Sequence, residues 1–162
     1  MAPVAIDITS SYAAPPDAVL ALLTDEQFLR DRAAALGAAV QEVTVDGLST
    51  TVRLTAPTAG IPPVFARFVG SAVSVVERTT WTAGPGGGSR GALDVRTQVF
   101  GRTVLVTAER ALVPTAEGTR STVTGNATVD APLIGRQAES AVGELVGVVL
   151  RREDELLRER LG

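Results

Sequence analysis

Residues 129–160 read VDAPLIGRQAESAVGELVGVVLRREDELLRER. Pro132 cannot donate to a sheet ladder, so a strand has to end there. From Leu133 to about Arg160 no further proline interrupts the chain. Ile134, Ala138, Ala141, Leu145, Val149 and Leu156 fall on one side at helical spacing. This predicts one long helix, roughly 40 Å at about 1.5 Å per residue. A helix that is apolar on one side must bury that side, which demands a large apolar surface elsewhere in the chain. Its last third, Arg151 to Arg160, is mostly charged and is expected to project past the rim of that surface. Asp154 and Arg158 form an i,i+4 pair in the favourable orientation.

The surface is found upstream. From Ala38 to Val129, about 90 residues, the apolar period stays at two, the signature of strands. Strands are predicted over Val40–Val45, Leu48–Ala56, Val73–Thr82, Leu93–Phe100, Thr103–Val113 and Thr119–Val129. Asp46-Gly47, Gly84 to Gly88, Gly101-Arg102 and Ala116 to Gly118 supply turns between them. Pro57 to Gly70 is the exception. It holds three prolines and an apolar cluster of Ile61, Val64, Phe65, Phe68 and Val69, and reads as a loop with one or two helical turns. Before the sheet comes another alternating strand, Val4 to Tyr12. Two short helices follow it. The first opens at Pro16-Asp17, with Val19, Leu20, Leu22 and Leu23 on its apolar face. The second is capped by Thr24 or Asp25, carries Phe28, Leu29, Ala33 and Leu36, and ends at Gly37.

A register can be derived. With the first long hairpin centred on Gly86, Arg78 lies opposite Asp94. Centring it on Gly87 would set Arg78 against Arg96, and like charges directly opposite are unfavourable. The next hairpin is centred between Gly101 and Arg102. One face then carries Val75, Glu77, Thr79, Trp81, Leu93, Val95, Thr97, Val99, Val104, Val106, Ala108, Arg110, Leu112, Ser121, Val123, Gly125, Ala127 and Val129. The other carries Arg78, Asp94, Arg96, Gln98, Glu109, Arg120, Asn126 and Asp130. One dry and one wet face is what a half-buried antiparallel sheet requires. The dry face is rich in small residues, and so is the helix side turned to it: Ala138, Ala141, Gly143 and Gly147. Small against small gives close packing or unfilled space.

Composition narrows the function classes. The 162 residues suit one domain, 1–162, with one core. Apolar residues make up 45% and charged residues 20%, which excludes disorder. The net charge of -3, with 15 arginines spread along the chain, argues against nucleic acid. There is no cysteine and no histidine, so thiolate chemistry, serine triads and histidine-based zinc sites are impossible within one chain. No apolar run approaches the roughly 18 residues of a membrane span, and Met1 to Ser10 does not read as a signal peptide. The expected location is the cytoplasm, and no cofactor is expected.

The order of strand, two short helices, six strands and a long helix resembles the START, polyketide-cyclase and birch-pollen-allergen (SRPBCC) superfamily over nearly the whole chain. Val73-Ser74-Val75-Val76-Glu77-Arg78-Thr79-Thr80-Trp81 is similar to the glutamate-and-tryptophan strand of an uncharacterised actinobacterial branch. Val129-Asp130-Ala131-Pro132-Leu133-Ile134-Gly135, followed by Glu139, is similar to that branch's approach to the last helix. The resemblance implies an α+β helix-grip fold, with a curved seven-stranded antiparallel sheet around the C-terminal helix. It also implies a cavity between them for an apolar small molecule, and it carries over no catalytic residue.

Val95, Ala108, Gly125 and Ala127 of the dry face and Ala138, Ala141 and Leu145 of the helix are candidates to line such a cavity. Glu77 and Arg110 are the two charges on the dry face. A buried charge is costly unless paired. They can form a structural ion pair with each other at the cavity mouth, orient a polar ligand group, or supply acid–base chemistry. Tyr12, the only tyrosine, adds its hydroxyl to the same space or sits in the core. Phe65 and Phe68 cover a cavity entrance or plug the open end of the core. Trp81 reads as core, with its indole nitrogen bonded near the sheet edge. The glycine run at 84–91 is not a phosphate loop, since it has no lysine and no helix follows. The leading functional expectation is binding of a lipid, polyketide or isoprenoid. The alternatives are a cyclase- or hydrolase-like enzyme using Glu77 and Arg110, and an interaction protein without ligand.

Overall fold

The computed structural model describes residues 4–57, 72–99, 102–130 and 135–161. In chain order the elements are β1 (Val4–Tyr12), α1 (Pro16–Leu23), α2 (Glu26–Ala35), β2 (Ala39–Asp46), β3 (Ser49–Pro57), β4 (Ala72–Ala83), β5 (Ser89–Val99), β6 (Arg102–Thr115), β7 (Gly118–Val129) and α3 (Gly135–Leu161). All seven strands form one antiparallel sheet in the order β1-β7-β6-β5-β4-β3-β2. The chain has the α+β helix-grip architecture that its order of elements implied.

Local chemistry sets the boundaries. Asp25 caps α2 by accepting from the Phe28 N–H at 2.8 Å. The chain leaves α2 through Gly37 at φ +73°, a conformation glycine adopts without strain. The Glu139 carboxylate accepts from the Val129 N–H at 3.2 Å, tying the start of α3 to the end of β7.

The predicted register between β4 and β5 holds, with Arg78 opposite Asp94. Between β5 and β6 it does not. Val99 pairs with Arg102 and Val95 with Val106, so the hairpin centres one residue earlier than expected. Each β5 residue therefore meets a β6 partner two places earlier than expected. A shift of two leaves every side chain on its face, because the strand period is two. The dry face stands as read: Thr79, Trp81, Val104, Val106, Ala108, Arg110, Leu112, Ser121, Val123 and Ala127 are all buried.

Among the described residues, three helices cover that face unevenly. α3 runs over β1 and β7, and α2 over β2. Under α3 lies a core of Ile6, Val104, Val106, Val123, Ala127, Ala141, Val142 and Leu150. At its C-terminal end Tyr12, Val19, Leu23, Phe28, Trp81, Leu112 and Leu157 form a second cluster, and under α2 Leu29, Val43 and Val52 form a third.

The end of α3 does not project past the rim, contrary to expectation. Glu153, Asp154 and Leu157 are only 2%, 7% and 0% exposed. α1 and α2 pack on this end and seal it, and Arg160 reaches Asp31 of α2 at 2.6 Å. The buried stripe is also rotated from the expected one. It runs through Val142, Leu150, Glu153 and Leu157, while Leu145, Val149 and Leu156 are half-buried. Among the described residues no helix is long and apolar enough to cross a membrane.

Candidate functional site

Eight polar side chains from six elements meet at the closed end of the sheet. The Arg32 guanidinium of α2 donates to Glu77 of β4 at 2.8 Å and to Glu153 of α3 at 2.7 Å. Glu153 also accepts from Arg110 of β6. Arg110 donates further to the Ser121 hydroxyl at 2.9 Å and the Tyr12 hydroxyl at 3.1 Å. Tyr12 donates in turn to Asp154, whose second oxygen accepts from Ser10. The result is a continuous chain from Glu77 through Arg32, Glu153, Arg110 and Tyr12 to Asp154, with Ser10 and Ser121 attached. It sets three carboxyl groups against two guanidiniums.

Electrostatics fixes the states of its middle members. Burial opposes ionisation of Glu153, but Arg110 and Arg32 together outweigh it and hold the carboxyl below its ordinary value. Burial likewise works against both guanidinium charges. It is outweighed at Arg32 by Glu77 and Glu153, and at Arg110 chiefly by Glu153, so both stay protonated. Burial pushes the Tyr12 phenol up; Arg110 partly offsets this, and its hydrogen bond to Asp154 adds to it. Tyr12 is therefore a donor to Asp154 and no base near neutral pH.

Glu77 and Arg110, expected to pair with each other if structural, do not. Arg32 and Glu153 stand between them. Nor do Asp154 and Arg158 form their expected i,i+4 pair. Asp154 turns inward to Tyr12 and Ser10, while Arg158 lies over the Tyr12 ring, 5.8 Å from its centroid. Sequence reasoning missed Arg32, Glu153 and Asp154. A signal existed for two of them, which occupy helix positions that apolar neighbours mark as inward. Arg32 lies three residues after Leu29 and four after Phe28, and Glu153 three after Leu150 and four before Leu157.

The other candidates divide. Ala108, Ala127 and Ala141 are packed in the core under α3, with Leu145 beside them. Gly125 faces the same core, and a Cβ there would lie 2.2 Å from the Thr107 carbonyl oxygen, so no side chain fits. Trp81 is core, and its ring lies over Gly91, 3.0 Å from where a Cβ would stand. Its indole nitrogen has no hydrogen-bond partner among the described residues, against the expected bond near the sheet edge. Phe65 and Phe68, with the rest of the Ile61–Val69 cluster, lie outside the described residues, as does the side chain of Ala138.

Val95 belongs to a different region. On the inner face, Val75, Glu77, Leu93 and Val95 are only half-buried, although their row neighbours on β6, Val104, Val106 and Ala108, are buried. Leu93 and Val95 lean on the α3 core, and Leu54 of β3 on the α2 cluster. Val73 and Val75 belong to none of the three clusters. The inner face at β4 and β5 is thus less covered than that at β6, and Glu77 of the ion chain stands at one end of the less covered stretch. Outside the closed end of the sheet, a depression of about 320 Å³ is lined by Ser11, Tyr12, Ala13, Arg158 and Leu161. No group of three or more acidic side chains is gathered to hold a metal among the described residues.

Residues 7–161 match the family described as "Protein of unknown function (DUF2505)". The chain belongs to that family. No curated protein matches this DUF2505 chain. Several solved structures share its fold. TTHA0849 from Thermus thermophilus is 18% identical, with a TM-score of 0.64 over 98% of this chain and 100% of that one. A conserved protein from Geobacillus kaustophilus is 13% identical, with a TM-score of 0.63 over 98% and 95%. Protein Ms6760 from Mycobacterium smegmatis is 15% identical, with a TM-score of 0.61 over 99% and 91%. At these identities the likeness establishes the fold of this DUF2505 chain alone.

Proposed function

We propose that this chain binds an apolar or amphipathic small molecule of the lipid, polyketide or isoprenoid class in a groove between α2 and α3. The observation that carries the reading is the uneven burial of one continuous apolar face. Val104, Val106, Ala108, Val123 and Ala127 are buried under α3, while Val75, Leu93 and Val95 are left half-buried. Each such side chain forgoes part of the roughly 1.5–3 kcal/mol that full burial would yield. An apolar ligand on this floor recovers that term. The resemblance to the START and polyketide-cyclase superfamily agrees with a ligand in this place. The cyclase- or hydrolase-like alternative loses its simplest geometry, since Arg110 is committed to Glu153, Ser121 and Tyr12 and does not face Glu77.

Filling the groove tests the reading. Val75→Trp and Val95→Trp should each abolish the fluorescence enhancement of the uncharged dye N-phenyl-1-naphthylamine by the folded protein, at an unchanged melting temperature. Undiminished dye binding in both folded variants would count against the groove as the binding place.

A further inference from the structure

The groove has a polar end, and its chemistry selects among ligands. The geometry points to Glu77 as the recognition group for a hydrogen-bond-donating head, an ammonium or a hydroxyl, on the apolar molecule the groove holds. This rests on the groove reading above. Within the ion chain, the side chains of Arg110, Glu153 and Arg32 are 4%, 2% and 8% exposed, whereas Glu77 is 19% exposed. Glu77 is thus where the buried network meets the floor. Its cross-strand neighbours on that face are Val52 and Val95, both apolar.

The hydrogen-bond inventory decides the class of head group. One Glu77 oxygen accepts from Arg32, and the other has no partner among the described residues. A carboxylate offers only acceptors, so what it takes is a donor. Arg32 directs one N–H of each terminal nitrogen at a carboxylate, Glu153 and Glu77, and its side chain is 8% exposed against 19% for Glu77. The group more open to a ligand head is therefore the carboxylate. A ligand lying along Val75 and Val95 displaces water from Glu77. An apolar molecule with no donor then strands the second oxygen, and a carboxylate head adds like-charge repulsion. A donor head replaces the lost water and gains a charge-assisted bond, an advantage of about tenfold or more in affinity.

The test compares four ligands of similar length by calorimetric titration at neutral pH: decylamine, 1-decanol, 1-methoxynonane and sodium decanoate. Decylamine and 1-decanol should bind at least about tenfold more tightly than the ether and the acid. In Glu77→Gln, which keeps a hydrogen-bonding group for Arg32 but removes the charge, the preference for amine over acid should collapse. Equal binding of all four by the wild type would overturn the assignment to Glu77 while leaving the groove reading intact. Binding of none would overturn both. Should Glu77→Gln fail to fold, the wild-type ranking alone decides, because the ether differs from the alcohol chiefly in lacking a donor.

Discussion

Replacing Glu153 by alanine leaves the Arg110 and Arg32 guanidiniums without their shared carboxylate in a space that water hardly reaches. The wild-type Glu153 side chain is 2% exposed and those of its partners 4% and 8%. Breaking a buried pair by removing one partner costs roughly 3–5 kcal/mol, because the remaining charge stays desolvated and uncompensated. Here two charges share the lost partner, though Arg32 keeps Glu77 and Arg110 keeps Ser121 and Tyr12. The expected loss is therefore about 3–5 kcal/mol rather than twice that. At roughly 2–4 °C per kcal/mol for a domain of this size, the melting temperature should fall on the order of 10 °C. Denaturation can be followed by the fluorescence of Trp81, the only tryptophan, which is buried in the neighbouring cluster. A coupled apolar replacement, Arg32→Met with Glu153→Leu and Arg110→Met, should recover part of the loss, since it removes both unpaired guanidiniums while Glu77 and Asp154 keep their charges. A cost below about 1 kcal/mol for Glu153→Ala, the range of an exposed pair, would refute the buried ion chain.

The same carboxylate makes stability depend on acid. Its folded-state pKa lies below the ordinary value of 4.5, so its contribution is present above that value and is lost as pH falls through the folded pKa. Wild-type stability should drop on acidification below about pH 4.5, and Glu153→Gln should flatten part of that drop; parallel curves would contradict it. Tyr12 gives the opposite sign. Its folded pKa is raised, so its contribution is full below the ordinary value of 10.0 and is lost at more alkaline pH. As Tyr12 is the only tyrosine, phenolate absorbance of the folded protein should appear well above the ordinary value of 10.0, and half-titration at that value would place its hydroxyl in solvent. Leu157→Ala, at a fully buried position, should cost about 2–5 kcal/mol. Leu145→Ala, only half-buried, should cost distinctly less; equal costs would restore the helix face expected from the periodicity.

Strand faces were legible because alternation is a local property that survives register errors of two. The shift of the β5–β6 hairpin moved Val95 from its expected partner Ala108 to Val106 without turning either side chain over. The β4–β5 register was legible because Arg78 and Arg96 repel each other when opposed. Glu77 and Arg110 were legible as charges on a dry face, but their partners were not, since Arg32 and Glu153 come from other elements. Glu153 was further hidden inside the charged run 151–155, where composition suggested a solvated end. The small residues Ala108, Ala127 and Ala141 left packing and space equally open. The structure resolves them as packing, while Val75 and Val95 are left half-buried. Sequence could not show this, because it depends on how helices from distant parts of the chain lie over the sheet.

Occupation of this groove by a small molecule is tested most directly by native mass spectrometry of the protein purified from the organism that encodes it. The expected result is a discrete added mass in the range of a lipid, polyketide or isoprenoid, released on denaturation and missing from folded Val95→Trp. A uniformly ligand-free protein, together with a high-resolution structure in which side chains fill the space over Val75 and Val95, would contradict it.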